Sequence, residues 1–470
     1  MQVIKYLVLN KVAKLSYLST YNHHFQYQNK GNLMTASFSS QRIVNQPVWR
    51  TVLAGLQMLF VAFGALVLMP LITGLDPSVA LFTAGIGTLL FQFITKQQVP
   101  VFLASSFVFI APIAYSVQTW GVAAAMGSLF ITGLVYVLIA SVVVVRGAGF
   151  LHKLMPPVVT GPIIMVIGLG LAPIAVNMAM GKTGDGAAVL FPYADSLFVS
   201  MSALVTTLIV ATLGKGVFRL IPIMVGVLVG YVMASMMGMV STEAVAQSEW
   251  FAIPNFVSPE FNVAAILFML PVAIAPAIED IGDMLAIGSV TGKDYTNSPG
   301  LHRTLMGDGL ATSLASLFGG PPNTTYSEVT GAVMLTKMFN PRIMLWAAFF
   351  AISLAFVAKF GIALQTIPAP VMGGILILLF GSIASVGLNI IVKAQVDLAD
   401  QRNLVIVSTT LVFGIGGMAI GNTDFSLTGI SLCGIVAIVL NAILPQTKPE
   451  EENLAQEEAI AKDIINHVKK

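Results

Sequence analysis

Long apolar stretches, each broken by charge or by Pro, Gly and Asn, recur along the chain. They lie near 51–73, 79–95, 100–116, 122–145, 157–176, 197–213 and 220–241. After a polar stretch around Glu243, Glu249 and Pro254, seven more follow near 262–284, 308–319, 324–336, 342–361, 370–392, 403–421 and 425–445. Most approach the roughly 20 residues that one bilayer crossing needs. The pattern predicts an all-α polytopic membrane protein with fourteen transmembrane segments in a 7+7 arrangement. The third and tenth segments, PVFLASSFVFIAPIAY and NTTYSEVTGAVMLTK, are shorter and occupy matching places in the two sets. Both begin after a Pro-containing turn with β-branched, aromatic and hydroxyl residues before turning helix-like. Such paired interruptions are the mark of an inverted-repeat secondary transporter with its site near the bilayer midplane. Two re-entrant surface loops without function are the alternative reading.

Composition agrees with the pattern. The chain has 470 residues, 56% hydrophobic and only 9% charged, which excludes a water-soluble globular domain. Its formal charge of +2 provides no field that would recruit nucleic acid. Single Cys433 lies in an apolar run and reads as a small hydrophobe. The basic residues report orientation, because short cytoplasmic connections are enriched in Lys and Arg. With the N-terminus inside, Lys96, Arg146, Lys153, Lys215, Arg219, Lys293, Arg303, Lys337, Arg342, Lys393 and Arg402 fall on the cytoplasmic side, and Lys182 and Lys359 outside. Both tails, 1–50 and 446–470, then lie in the cytoplasm of a cell whose inner (plasma) membrane holds the protein. Met34 is an alternative start, and the charged C-terminal tail reads as a short solvated helix.

Acidic groups inside the hydrocarbon are expensive and therefore point to function. Glu279, Asp280 and Asp283 close the eighth segment, Asp308 opens the ninth and Glu328 sits in the tenth. Between Arg219 and Lys293 there is no Lys or Arg to neutralise Glu279. A carboxyl buried without a cation holds a proton more readily than one in water. Glu279 and Asp283, four apart, share a helix face and repel unless one is protonated, which is a route to proton coupling. Asp280 and Asp283 as hydrated helix-end groups, and Asp308 as an ordinary N-cap, are the structural alternatives. Glu328 lies at the start of a half-helix, where backbone N–H groups are unsatisfied. A carboxylate beside free amides complements a planar ring edge that alternates N–H and C=O; a nucleobase has such an edge, and other ligands with one fit as well. No metal site and no enzymatic constellation is expected, since His23, His24, His152, His302 and His467 all fall in tails or loops.

EDIGD, NSPGLHRTLMGDGLATSLASLFGGPPNTTYSEVTG and TIPAPVMGGILILLFG resemble the nucleobase–ascorbate transporter family, and the bacterial uracil permeases within it. The similarity extends through LQMLFVAFGALVLMP, GIGTLLFQFITKQQVPVFLASSFVFIAP and MPPVVTGPIIMVIGLGLAPIAV, from about Trp49 to Pro445. The resemblance implies a core domain built from residues 51–147 and 262–361, and a gate domain built from 148–245 and 366–445. It implies proton-driven nucleobase uptake by a homodimer, with sodium as the alternative coupling ion and no cofactor. By position, Glu279 and Glu328 would accept from the base, and the backbone amides of Phe107 and Ser327 would donate to its carbonyls. Ala65 and Tyr326 would pack on the ring, Phe380 would face it from the gate, and Glu279, Asp283 and Asp308 would carry the proton.

The chain departs from the family pattern in three places. Asp283 stands where uracil permeases usually carry His, as in the purine-transporting branch. Val329 replaces a common Asn in EVTGAVMLTK, and Met58 follows Gln57 where His is frequent. The expected function is a proton symporter for uracil or a related oxo-pyrimidine. A xanthine or urate carrier is the alternative supported by Asp283 and Asp308, and a passive facilitator is a third.

Overall fold

In a computed structural model of the chain, residues 48–147, 155–216, 218–421 and 426–445 are described. The expectations for both tails, Met34 and Lys153 fall outside them. All of the helices introduced below except α8 overlap the predicted apolar runs, and their ends follow local chemistry. The first, α1 (Val48–Thr73), is followed by α2 (Pro77–Ile94), whose start is fixed by Asp76: its carboxylate accepts from the Ser78 amide at 2.8 Å, with Pro77 at the first helical position. Next come strand β1 (Leu103–Ser105), α3 (Ile110–Trp120), α4 (Val122–Arg146), α5 (Pro157–Ala179), α6 (Tyr193–Leu213), α7 (Pro222–Met236) and the short α8 (Thr242–Gln247). The second half holds α9 (Val263–Met269), α10 (Ile274–Thr291), α11 (Leu301–Leu317), strand β2 (Asn323–Thr325) and α12 (Ser327–Thr336). It ends with α13 (Arg342–Ala355), α14 (Ala358–Gln365), α15 (Ala369–Lys393), α16 (Gln401–Ile415), the hairpin β3 (Ala419–Gly421) and β4 (Ser426–Thr428), and α17 (Gly429–Ile443).

Among the described residues, six helices are long and apolar enough to cross a bilayer: α1, α2, α4, α5, α6 and α15. A seventh span results if α13 and α14, bent by 82° at their junction, count as one. The other runs are shorter or interrupted helices, so length alone yields fewer crossings than the hydrophobic pattern predicts.

Two segment boundaries differ from the sequence expectation. The eighth run was expected to stop near 284, but α10 continues to Thr291, which leaves Asp283 inside the helix. The ninth was expected to start at 308, but α11 begins at Leu301. Asp308 therefore lies two turns inside a helix, and the N-cap reading is wrong. The polar string KDYTNSPGLHR concealed this start. Its residues form a compact turn around Asp294, which accepts from the Thr296 hydroxyl at 2.5 Å and amide at 3.0 Å, and Arg303 reaches back to the Ile94 carbonyl at 3.3 Å.

Close helix approaches rest on glycine. A Cβ on Gly309 of α11 would lie 2.6 Å from the Cβ of Tyr136 and from the Gly133 carbonyl of α4. The reverse also holds, since a Cβ on Gly133 would strike Gly309 and Ser313. Without side chains at these two positions the backbones of α4 and α11 touch, and the Ser313 hydroxyl donates across to the Phe130 carbonyl at 2.9 Å.

The connection from α8 to α9 is extended and strapped to several helices. Its backbone bonds pair Ala358 with Trp250, Ala252 with Phe356, Val257 with Phe318 and Glu260 with Ala123, at 2.8–3.2 Å. Phe256 packs with Phe82 of α2 and with Phe318, ring centroids 5.1 and 5.4 Å apart, and Phe82 also meets Phe356.

Candidate functional site

The third and tenth runs share one geometry. In each, a three-residue strand leads into a short helix, and the two strands pair antiparallel with Leu103 opposite Thr325, Ala104 opposite Thr324 and Ser105 opposite Asn323. The Ser106 amide extends the pairing to the Pro322 carbonyl at 3.0 Å. The expectation that both segments are interrupted is met, and the crossing is buried at every position. Irregular backbone at membrane depth must satisfy its polar groups within the protein. Here α2 and α11 do so: the Leu103 amide donates to the Thr88 hydroxyl at 3.0 Å, the Asn323 side-chain amide donates to the Thr83 carbonyl at 3.0 Å, and the Thr312 hydroxyl donates to the Asn323 carbonyl at 3.0 Å.

Beyond each strand a helix start is directed at the same region. Phe107 opens a single 3₁₀ turn before α3, and Tyr326 precedes Ser327 at the start of α12. The Phe107 and Tyr326 rings are 6.3 Å apart, tilted by 57°, so the two half-helix entrances are neighbours. The first amides of any helix have no partner within it, and the helix dipole makes that end electropositive. Glu328 lies in the first turn of α12, which puts its carboxyl at that entrance.

Helix α10 brings the other carboxyls. Glu279 is half-buried, with Oε2 sealed from solvent and unbonded, and Asp283 and Glu328 are the charged groups that act on it most strongly. Asp283 is buried and accepts from the Thr325 hydroxyl at 2.8 Å. Asp308 on α11 accepts from the Thr325 backbone amide at 3.1 Å. One residue of β2 thus ties two carboxyls on two helices to the strand crossing. Asp280, 1% exposed, accepts from the Thr304 hydroxyl at 2.7 Å. The reading of Asp280 and Asp283 as hydrated helix-end groups is therefore overturned.

Glu279, Asp283, Asp308, Glu328, Phe107 and Tyr326 are assembled around the crossing. Ala65 in α1 and Phe380 in α15 are fully buried in the core, and their place at the ring rests on the family resemblance. Ser327 is positioned by its backbone at the first residue of α12. Sequence reasoning missed Thr325, Thr304 and Tyr136, which are neutral residues in apolar or hydroxyl-rich surroundings. Only the register that sets Thr325 opposite Leu103 marks it out. Among the described residues, no group of three His, Cys, Asp or Glu side chains has the arrangement of a metal site.

Apolar spanning helices surrounding a buried carboxylate cluster at two broken segments define a multi-pass membrane transporter. Comparison with solved structures agrees on the fold. The transmembrane domain of a cyanobacterium bicarbonate transporter, BicA, is similar with a TM-score of 0.59 at 15% identity, covering 85% of this chain and 98% of that one. A murine Solute Carrier 26 family anion transporter in the inward-facing state is similar with a TM-score of 0.66 at 11% identity, covering 87% and 70%. The chain belongs to the Permease family, which it matches over residues 50–423, and it is a transporter rather than an enzyme. Among its relatives are a probable uracil permease of Pasteurella multocida, 58% identical over 85% of this chain and 95% of that one, and a uracil permease of Bacillus caldolyticus, 44% identical over 86% and 94%. A uracil permease of Escherichia coli is 36% identical over 88% and 96%.

Proposed function

We propose that this permease imports uracil across the inner membrane by proton symport. The observation that carries the reading is the pairing of two carboxyls, Glu279 and Glu328, with two half-helix entrances. Uracil presents two N–H donors and two carbonyl acceptors around one planar ring. Carboxylates take the donors, and the first amides at Phe107 and Ser327 give to the carbonyls. Relatives that carry the uracil permease name at 36–58% identity support the substrate. A fourteen-segment inverted repeat, a core domain sliding against a gate domain, a homodimer and two cytoplasmic termini complete the proposal. The matched strand–helix breaks support the repeat and the distribution of Lys and Arg supports the termini, while the core–gate division and the homodimer rest on the family resemblance.

Proton coupling follows from charge. Glu279, Asp280, Asp283, Asp308 and Glu328 converge, so their simultaneous ionisation is costly and a bound proton is favoured there. Base binding and proton binding then compete for or share the same oxygens, which links the two fluxes.

A xanthine or urate carrier remains the second reading. Asp283 is its main support, yet that carboxyl is engaged by Thr325, which makes it part of the scaffold around β2. The test is radiolabelled uracil uptake into cells that lack their own nucleobase carriers, competed by thymine, xanthine and urate, with and without a protonophore. Protonophore-sensitive uptake blocked by thymine and indifferent to xanthine is the expected result. Competition by xanthine with little uracil entry would establish the purine reading. Uptake unaffected by the protonophore would remove proton coupling.

A further inference from the structure

The carboxylate cluster has a neighbour that neither the substrate reading nor the family pattern uses. Tyr136 lies in the middle of α4 and is 1% exposed, and its hydroxyl bonds to no partner among the described residues. The Gly133–Gly309 contact explains why it is there: the backbones touch, and Tyr136 rides directly over Gly309, the residue after Asp308. The charged groups that act on its hydroxyl are Asp308 first, then Glu279 and Asp280. Each of these three also has one buried oxygen without a partner: Asp308 Oδ1, Asp280 Oδ1 and Glu279 Oε2. The other oxygen of Asp308 is committed to the Thr325 amide, and that of Asp280 to Thr304.

One phenolic donor and three carboxyl acceptors thus share a buried region between α4, α10 and α11. An isolated buried hydroxyl is costly, and so is an isolated buried carboxylate oxygen; bonding one to the other, directly or through one water, removes both costs. We propose that Tyr136 is a positioning residue for proton coupling, its hydroxyl donating to Asp308 when that carboxyl has released its proton. This rests on the proton-symport reading above.

The surrounding elements add few other titratable groups. Helix α10 contributes Glu279, Asp280 and Asp283, α11 contributes Asp308 with His302 and Arg303 in its first turn, and the connection bonded to Ala123 contributes Glu260. Helix α9 and the turn Leu270–Ala273 carry none, and α3 carries only Tyr115. A donor to the ionised form favours release of the proton. Removing it makes release harder, so the pH at half-maximal uptake should rise.

The test is the pH profile of uracil uptake for wild type and Tyr136→Phe, with uracil affinity measured on the purified proteins. The ring and its packing are retained in Tyr136→Phe. Its profile should move upward by about 0.5–1 pH unit, a three- to tenfold change in proton affinity, with uracil affinity within about twofold. In Asp308→Asn the second substitution should add no shift. Replacing Tyr136 by 3-fluorotyrosine, a stronger donor of nearly the same size, should move the profile the other way, and this holds even if the Phe variant folds poorly. A pH-dependent wild type with superimposable profiles in both variants overturns the proposal alone. A flat, protonophore-insensitive wild-type profile overturns the proton-symport reading and this proposal together.

Discussion

The two broken segments share a geometry and divide the chemistry. On the β1 side, Leu103 to Phe109 present apolar side chains and the Ser105 and Ser106 hydroxyls, both buried and without partners among the described residues. On the β2 side, Thr325 is bonded to two carboxyls, and Glu328 stands in the first turn of the following helix. Pairing the strands places both helix entrances together, but only one strand is wired to titratable groups. Duplicated architecture therefore need not mean duplicated function. One half-segment supplies a backbone floor, and the other supplies charge.

Removing charge from the site should show this asymmetry most strongly. Glu279→Gln should abolish concentrative uptake, lowering accumulation at least about tenfold, the equivalent of some 1.4 kcal/mol of driving energy. Accumulation ratios in energised cells decide it, and full accumulation by the variant would remove Glu279 from the mechanism. Next, Glu328→Ala should weaken uracil binding by about 1.5–3 kcal/mol, the range for a hydrogen bond to a charged group. The matching change just beyond the other strand, Ser106→Ala, should cost less than about 1 kcal/mol. Binding titrations on both purified variants compare the two halves directly, and equal losses would erase the contrast.

A finer cut separates the two bonds made by Thr325. Thr325→Val keeps the backbone amide for Asp308 and removes only the hydroxyl given to Asp283. We expect a loss of about 1 kcal/mol, read as lower thermal stability with a displaced pH profile. An unchanged profile would confine Asp283 to a structural role.

The smallest effect concerns a carboxylate outside the membrane. Asp294 is held below the ordinary carboxylate value of 3.8, chiefly by the Thr296 hydroxyl and also by the Thr296 and Asn297 amides. A depressed value means that the turn's stabilisation is complete above 3.8 and is lost as pH falls below it through the folded value. Hydrogen exchange in residues 293–298 should therefore accelerate, relative to its normal pH trend, only in strong acid. The contrast with the buried carboxyls is then one of solvent access.

Much of this was legible in the sequence. Long apolar runs, the paired interruptions and the intramembrane carboxyls follow from composition and spacing, because water and hydrocarbon sort residues strongly. The start of α11 was not legible, since Lys293 to Arg303 read as a loop while Asp294 and Arg303 were satisfying helix ends. Asp308 was accordingly mistaken for a possible cap. Thr325 and Tyr136 escaped for another reason: a neutral hydroxyl is informative only once the chain has brought it against a charge some distance away in sequence.

The extended connection before α9 sets where the molecule has slack. From Trp250 onward it is fastened by backbone bonds to Ala358, Phe356, Phe318 and Ala123, and by the ring of Phe256 against Phe82 and Phe318. Lys359 also sits over the Trp250 ring at 4.7 Å. Upstream, Gly238 has a left-handed φ of 72°, and α8 is the one short helix between it and the first anchor. Drawing α8 out into an extended strand would lengthen this tether by about 10 Å, from the difference in rise per residue. Length taken up there separates α7 from the connection, while Phe256 stays against Phe82 of α2 and Glu260 stays bonded to Ala123 of α4.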